Sequence, residues 1–376
     1  MAEKKESGKR DTKAQREAQA TKSLDGIADT IYKHLRSASI PEVQLSSRNK
    51  GNIVFDDRHR VWKYGSEFTT RSAKSLDGAY MLLRTMFLTD FIKQMIGENK
   101  SSTLREMYYI SEGWDLAKFH SQDESDLLAE DLEVMTGSMR EDFKLRPEEN
   151  GAAMIGDLQV VETTRNGEKR TMHCQNDVGD SGYNIPYNVE PDRLQFKNVN
   201  SDFVIAIETG GMFARLVENG FDTKHNCTLV HLKGQPARST RRLIKRLNEE
   251  ANQPVIVFTD GDPWSFRIFA SVAYGAIKTA HISEYLATPT AQFLGVTPSD
   301  IINYDLPTDK LTDQDVDALK AELDDPRFDD DYWRGEINLQ LEMKTKSEQQ
   351  ALAKYGLNFV TDTYLPEKLQ AMGILK

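Results

Sequence analysis

Two short apolar runs in the second half of the chain each end on carboxylates. Phe203-Val-Ile-Ala-Ile207 leads into Glu208-Thr-Gly-Gly211, and Val255-Ile-Val-Phe258 leads into Thr259-Asp260-Gly261-Asp262-Pro263. Hard oxygen ligands gathered in this way suit Mg²⁺. Like charges held together repel unless a cation neutralises them. A lone D-x-D is an ordinary turn signal. The E-x-G-G after one strand together with D-G-D-P after another favours a metal site over a solvated turn.

A second constellation lies upstream, in Leu104-Arg-Glu-Met-Tyr-Tyr-Ile-Ser-Glu112. Tyr108 and Tyr109 follow Arg105 by three and four residues, so on a helix either ring can share a face with the guanidinium. A phenol with a pKa of about 10 is a poor nucleophile at neutral pH. A neighbouring arginine eases its ionisation and offers a planar fork to a phosphate. By itself a tyrosine pair on an amphipathic helix is more often core packing.

The elements that must position these residues differ between the two halves. In the second half, strand-like runs at Phe203 to Ile207, Thr228 to Leu232 and Val255 to Phe258 alternate with helical stretches. Those stretches cover Met212 to Glu218, Arg238 to Ala251 and Trp264 to Lys278. That rhythm means an α/β fold with a mainly parallel sheet, in which functional groups collect beyond the carboxyl ends of the strands.

The first half is helical. Leu24 to Leu35 repeats its apolar residues at three and four, and Ser75 to Ile96 does the same and ends at Gly97. Thr103 and Glu106 have capping-box spacing. Ser125 to Met135 predicts another helix and Met139 to Phe143 a short one. Asn52 to Trp62 reads as a strand pair. Helices followed by a second strand pair, Met154 to Val161 and Glu168 to His173, fit a winged helix-turn-helix. The chain then divides into a flexible polar tail over 1–22, an N-terminal extension over 23–70, a winged-helix domain over 71–175 carrying the tyrosine, and a metal-binding domain over 200–376.

Charge narrows the function. The 48 Lys+Arg against 59 Asp+Glu give a net −11, which excludes a globally basic nucleic-acid binder. Local charge runs the other way: Lys233 to Arg246 carries six bases and no acid. Such segregation would let one face hold a polyanion, although charge runs are equally often solvated helix faces. The stretch Asp305 to Asp331 is strongly acidic, either a solvated surface or a docking face. The longest apolar runs are five residues, against about 20 needed to span a bilayer. With two cysteines and no signal-peptide start, a soluble cytoplasmic protein is expected. His173-Cys174 and His225-Asn-Cys227 match no zinc-finger spacing and read as structural residues, and His231 inside its strand reads as packing.

Taken in order, these motifs carry a family resemblance. Arg105-Glu-Met-Tyr-Tyr109, Ile207-Glu208-Thr-Gly-Gly211, Lys233-Gly-Gln-Pro236 and Thr259-Asp-Gly-Asp-Pro-Trp264 resemble those of the A subunit of archaeal DNA topoisomerase VI. That type IIB group also includes the meiotic double-strand-break transesterase. Arg241, Tyr274-Gly275 and the stretch Leu286 to Gly295 extend the likeness over roughly residues 70 to 376. Gln235 stands where the family usually has an aromatic residue.

The resemblance implies a CAP-like winged helix followed by a Toprim domain. It implies that Tyr109 attacks a DNA phosphodiester to form a 5′-phosphotyrosyl link, that Arg105 stabilises the charge that develops, and that Glu208, Asp260 and Asp262 hold Mg²⁺. The activity implied is that of the DNA-cleaving and religating subunit of an ATP-dependent type II DNA topoisomerase, which relaxes and decatenates DNA through a transient double-strand break. No G-x-x-x-x-G-K-[ST] pattern occurs in the chain, so ATP is expected to act only through a partner B subunit, in an A₂B₂ assembly built on an A homodimer. Lys233, Arg238, Arg241 and Arg242, with the basic segment from Arg58 to Arg105, are candidates for contacts to double-stranded DNA, mostly to phosphates. Three alternatives remain at this point: a break-forming transesterase that does not reseal, a Mg²⁺-dependent Toprim nuclease, and a non-catalytic duplex-binding scaffold.

Overall fold

The computed structural model describes residues 13–146, 152–164 and 166–376. The chain forms two compact units. One takes the residues up to Ile53 and Tyr64–Glu149, and the other takes Val54–Lys63 and Asn150–Lys376.

In chain order the first part runs α1 (Lys13–Arg36), β1 (Glu42–Ser46), the hairpin β2–β3 (Ile53–Asp56 and Val61–Tyr64), β4 (Phe68–Ser72), α2 (Leu76–Gly97), β5 (Ser102–Thr103), α3 (Leu104–Ser111), α4 (Gln122–Thr136) and β6 (Leu145–Arg146). β1 pairs antiparallel with β4, and β5 pairs with β6. The core of this unit is built from one face of each long helix: Leu24 and Ile27 of α1, Leu88 and Ile92 of α2, Met107 of α3, Leu128 and Leu132 of α4. Each such side chain contributes about 1.5–3 kcal/mol by leaving water.

Several expectations change here. Residues 1–12 lie outside the described residues, but 13–22, read as tail, are helical. Ala20 and, just beyond the stretch, Leu24 are fully buried and Glu17 pairs with Lys144 at 2.9 Å, while Ala14 and Ala18 stay exposed, so one alanine and an ion pair anchor this turn of the helix. α2 is capped by Ser75, whose side chain accepts from Gly78 N, and ends at Gly97 as expected, although the left-handed conformation falls on Asn99, two residues further on. Met139 to Phe143 is a turn, tied by Asp142 to the Met139 amide, and not a helix.

The strand pair expected as a wing does not belong to the helical unit at all. β7 (Ala153–Ile155) joins the large sheet of the second unit. β8 (Gln159–Thr163) and β9 (Lys169–His173), with β11 (Leu194–Lys197), make a separate three-stranded antiparallel sheet. The helical unit therefore ends near Glu149, not at 175. The hairpin β2–β3, placed in the N-terminal extension by the sequence reading, also joins the second unit, where Phe55 packs edge-on against Tyr274 at 6.1 Å.

The second unit continues with β10 (Tyr183–Asn184), β12 (Phe203–Ile207), α5 (Gly210–Glu218), α6 (Phe221–Lys224), β13 (Cys227–His231), α7 (Arg238–Ala251), β14 (Val255–Phe258), α8 (Pro263–Ala273), α9 (Ser283–Leu286), β15 (Gln292–Gly295), α10 (Pro298–Asn303), α11 (Asp313–Leu323), α12 (Asp331–Met343) and α13 (Leu365–Ala371). Its main sheet has the order β10-β7-β13-β12-β14-β15. The last four strands are parallel, and β7 and β10 add antiparallel at one edge, so the sheet is mixed. Val204 and Ala206 face one apolar layer, with Leu243, Leu247 and Phe266. Phe203, Ile205 and Ile207 face the other, with Met212, Leu216 and Tyr364. Burial on both faces explains why these strands read as unbroken apolar runs. α8 stops at Ala273, short of the predicted Lys278, because Gly275 takes a left-handed φ of 81°.

Candidate active site

α3 carries the tyrosine pair. Thr103 Oγ1 accepts from Glu106 N at 3.0 Å, and Glu106 Oε2 accepts from Thr103 N at 2.7 Å, which completes the predicted capping box. Those bonds hold the Glu106 carboxyl below its usual range. Met107 and Ser111 are fully buried and set the rotation of the helix. Tyr108 packs partly buried against the helical core, whereas Tyr109 is 59% exposed, with the two ring centroids 5.4 Å apart. Arg105, one turn before Tyr109, lies on the same exposed side. Sequence spacing allowed either tyrosine; packing distinguishes them.

The carboxylates sit where two parallel strands end together. Ile207 is level with Phe258 in the β12–β14 register, and Glu208 N donates to Phe258 O at 3.0 Å. Glu208 Oε2 accepts from Asp260 N at 3.0 Å and from Ser265 Oγ at 2.7 Å. Asp262 caps α8, its Oδ1 accepting from Ser265 N at 2.7 Å. Burial raises the pKa of Glu208, and the Asp262 charge adds to that. Asp260 is pushed up to about 7, first by burial and then by Glu208, Asp262 and Glu348. Gly261 is closely packed: a Cβ there would stand 3.0 Å from Val296 O and 3.2 Å from Ser347 O, so a larger residue would push these two backbones back by a few tenths of an ångström.

Among the described residues, no three His, Cys, Asp or Glu side chains are gathered as a ready-made metal cage. The donor set nonetheless fits Mg²⁺. That ion usually takes one or two carboxylates and completes its shell with water and phosphate oxygens. Three partly desolvated carboxylates at two adjacent strand ends are also a group whose repulsion a cation relieves.

The basic segment divides. Lys233 is exposed and Arg238 half-buried. Arg241 and Arg242, expected to touch DNA, are 6% and 2% exposed. Arg242 Nε donates to Glu190 Oε1 at 3.0 Å and its guanidinium lies 4.0 Å over the Tyr285 ring. Arg246 binds the carbonyls of Val189 and Leu194, and Lys245 that of Ala287. These cations face inward, so the basic run on α7 is largely an internal fastening between α7 and the loops around it. The acidic stretch is likewise partly internal: Asp315 and Glu322 are buried, and Glu322 accepts from Arg267 Nε at 2.9 Å.

Cys174 and Cys227 are buried free thiols, with burial pushing Cys174 up to about 12. His231 is half-buried and stacks on Phe213 at 5.6 Å. Sequence reasoning missed Ser265, one residue past the D-G-D-P-W motif, and Gln349, far away in the chain, whose contacts are described below.

Three family matches tile the chain. Residues 80–145 match the family described as type IIB DNA topoisomerase, and 148–200 the all-beta domain in DNA topoisomerase VI alpha subunit. Residues 203–369 match the Toprim domain shared by the A subunit of topoisomerase 6 and Spo11. These matches define the chain as a member of the type IIB topoisomerase class. The chain belongs to the family of topoisomerase VI A subunits. Its relatives include proteins named as the A subunit of type 2 DNA topoisomerase 6 from Archaeoglobus fulgidus (58% identical over 96% of this chain and 99% of the relative), Methanosarcina mazei (57%, 96% and 97%) and Halobacterium salinarum (56%, 96% and 98%).

Proposed function

We propose that this chain is the DNA-cleaving and religating subunit of an ATP-dependent type II topoisomerase, with Tyr109 as its nucleophile. The observation that carries the reading is the exposed Tyr109 ring on a doubly capped helix, beside Arg105, in a chain of this family. In the forward step a Tyr109 Oη–phosphorus bond forms and the phosphorus–O3′ bond breaks. The phenolic proton is lost and the departing O3′ takes up one, leaving a 5′-phosphotyrosyl link and a 3′-hydroxyl. Covalent attachment retains the phosphodiester energy, so the 3′-hydroxyl can reverse the step without further input.

Arg105 would offset the charge that gathers on the phosphorane-like transition state. Glu208, Asp260 and Asp262 would hold Mg²⁺, which supplies positive charge against a phosphate oxygen. Lys233 and Arg238 remain the cations of the basic segment that we assign to phosphate contacts on double-stranded DNA, with little base specificity. We assign the helical unit a winged-helix role, supported by its helices α2, α3 and α4, with the antiparallel pair β1–β4 of the same unit standing in for the wing expected at β8 and β9.

Family membership supports a partner B subunit that hydrolyses ATP. A homodimer of A chains would build two sites, the tyrosine of one subunit meeting the Toprim carboxylates of the other, within an A₂B₂ complex. Among the described residues no helix is long and apolar enough to cross a membrane, and we place the complex in the cytoplasm.

A trapped-adduct assay tests the reading. The protein, its ATPase partner, supercoiled DNA, Mg²⁺ and ATP are quenched with detergent, and protein covalently linked to 5′ ends is sought. Adduct in the parent and none in Tyr109→Phe is the expected result. Cleavage without adduct would instead indicate the nuclease.

A further inference from the structure

The segment after α12 crosses the acidic loop as a strap. Gly261 N donates to Ser347 O at 2.7 Å, and Ser347 N donates back to Gly261 O. Gln340, fully buried on α12, donates its amide to the same Gly261 carbonyl at 2.8 Å. Ser347 Oγ fastens the strap on its other side to Pro307 O at 2.8 Å.

Gln349, also fully buried, then makes three bonds at the strand ends that carry the carboxylates, one of them to Asp260 itself. Its backbone N–H donates to Asp260 Oδ1 at 2.8 Å. Its side-chain amide donates to Phe258 O, the last carbonyl of β14, at 3.1 Å. Its Oε1 accepts from Thr209 Oγ1, the residue after Glu208, at 3.0 Å. One amide side chain thus spans the ends of β12 and β14, the two strands that deliver Glu208 and Asp260. The neighbouring Gln350 adds a longer bond to Thr209 Oγ1, at 3.3 Å.

From this convergence we infer that Gln349 is a positioning residue that sets the spacing of Glu208 and Asp260 for a divalent cation. The inference rests on those carboxylates being the Mg²⁺ site. A glutamine suits the task because it donates and accepts at once and adds no charge of its own to a site already carrying three carboxylates. Preorganised ligands bind more tightly because less is lost in ordering them on binding. Without the bridge, each strand end would sample other geometries before a cation arrives. Metal affinity should then fall, while the turnover reached at saturating metal should be kept.

The test uses the full-length chain and Mg²⁺ alone, followed by the holoenzyme. Gln349→Met keeps length and burial but removes the bridge. Gln349→Asn keeps an amide too short to span both strands, and serves if the first variant folds poorly. Mg²⁺ affinity is read by calorimetry and by the Mg²⁺-induced rise in melting temperature, and relaxation is titrated with Mg²⁺ in the assembled complex. The expected result is a roughly 10-fold weaker Mg²⁺ affinity, as outer partners of metal ligands typically give. The half-saturating Mg²⁺ for relaxation should rise by the same factor, with a plateau within about twofold of the parent. Unchanged Mg²⁺ affinity in a folded variant, while Asp260→Asn abolishes it, would overturn the inference and leave the metal site standing. A lowered plateau with unchanged half-saturation would also overturn it. Parent protein that binds no Mg²⁺ would remove the metal site and this role together.

Discussion

Trp264 and Asp315 are joined directly, the indole Nε1 donating to Asp315 Oδ1 at 2.9 Å. The residue that closes the D-G-D-P-W motif is therefore moored to α11, inside the acidic stretch. Lys346 Nζ donates to Asp315 Oδ2 at 2.8 Å, and the Thr312 amide donates to the same oxygen at 2.9 Å. One buried carboxylate thus links the acidic loop, the helix behind it and the strap.

Acid should release that mooring. Burial opposes ionisation of Asp315, but the bonds from Lys346, Thr312 and Trp264 outweigh it and bring its pKa from 3.8 down to about 2. A depressed carboxylate pKa contributes stability that is complete above the unfolded value and lost as pH falls through the folded one. Asp315→Asn should cost about 1–3 kcal/mol at neutral pH, as expected for unmaking bonds to a buried charge. In denaturant melts the gap between variant and parent should narrow between about pH 4 and about pH 2.

The two tyrosines should separate cleanly. Tyr109→Phe is expected to lower relaxation by about 10⁴-fold or more, as loss of a nucleophile does, with the melting temperature unchanged because the ring is exposed. Tyr108→Phe, altering a ring half-packed into the core, should leave relaxation within a few-fold. Adduct that persists in Tyr109→Phe and disappears in Tyr108→Phe would reverse the assignment.

Buried and exposed cations of the basic segment should likewise part company. Arg242→Ala leaves Glu190 facing a lost partner and is expected to cost about 3–5 kcal/mol in thermal or urea unfolding. Lys233→Ala should leave stability unchanged and reduce the salt slope of duplex binding by about one. A salt slope identical to the parent's would remove Lys233 from the DNA contacts.

Removing divalent cations with EDTA should abolish cleavage and leave duplex binding largely in place, because phosphate contacts come chiefly from lysine and arginine. Glu208→Ala and Asp260→Ala should reproduce that phenotype in Mg²⁺ and lose the Mg²⁺-induced rise in melting temperature. Full relaxation by either variant would count against the carboxylate assignment.

What could be read from the sequence follows from how local each signal is. Strand ends, the capping box and the E-x-G-G and D-G-D-P turns are set within a few residues, and the parallel strands announce themselves by burial on both faces. The Arg242–Glu190 pair could not be seen, because a run of bases looks the same whether it faces water or a buried acid 52 residues away. The wing failed for a similar reason. β8 and β9 have ordinary strand patterns, and only pairing with β11 shows that they form their own sheet. Gln349 gave no signal because a lone glutamine acquires meaning only from the two strand ends it meets.

The hairpin β2–β3 has a consequence in time. It leaves the ribosome early, yet the Tyr274 face it packs against is made much later, after the whole helical unit. Domains usually complete themselves in the order of synthesis; here Phe55 and Trp62 must wait, exposed, until the C-terminal part of the chain arrives. A nascent chain of this protein is therefore expected to need shielding of that hairpin by a chaperone. A fragment beginning at Asn150 would carry the mirror-image defect, an uncovered Tyr274.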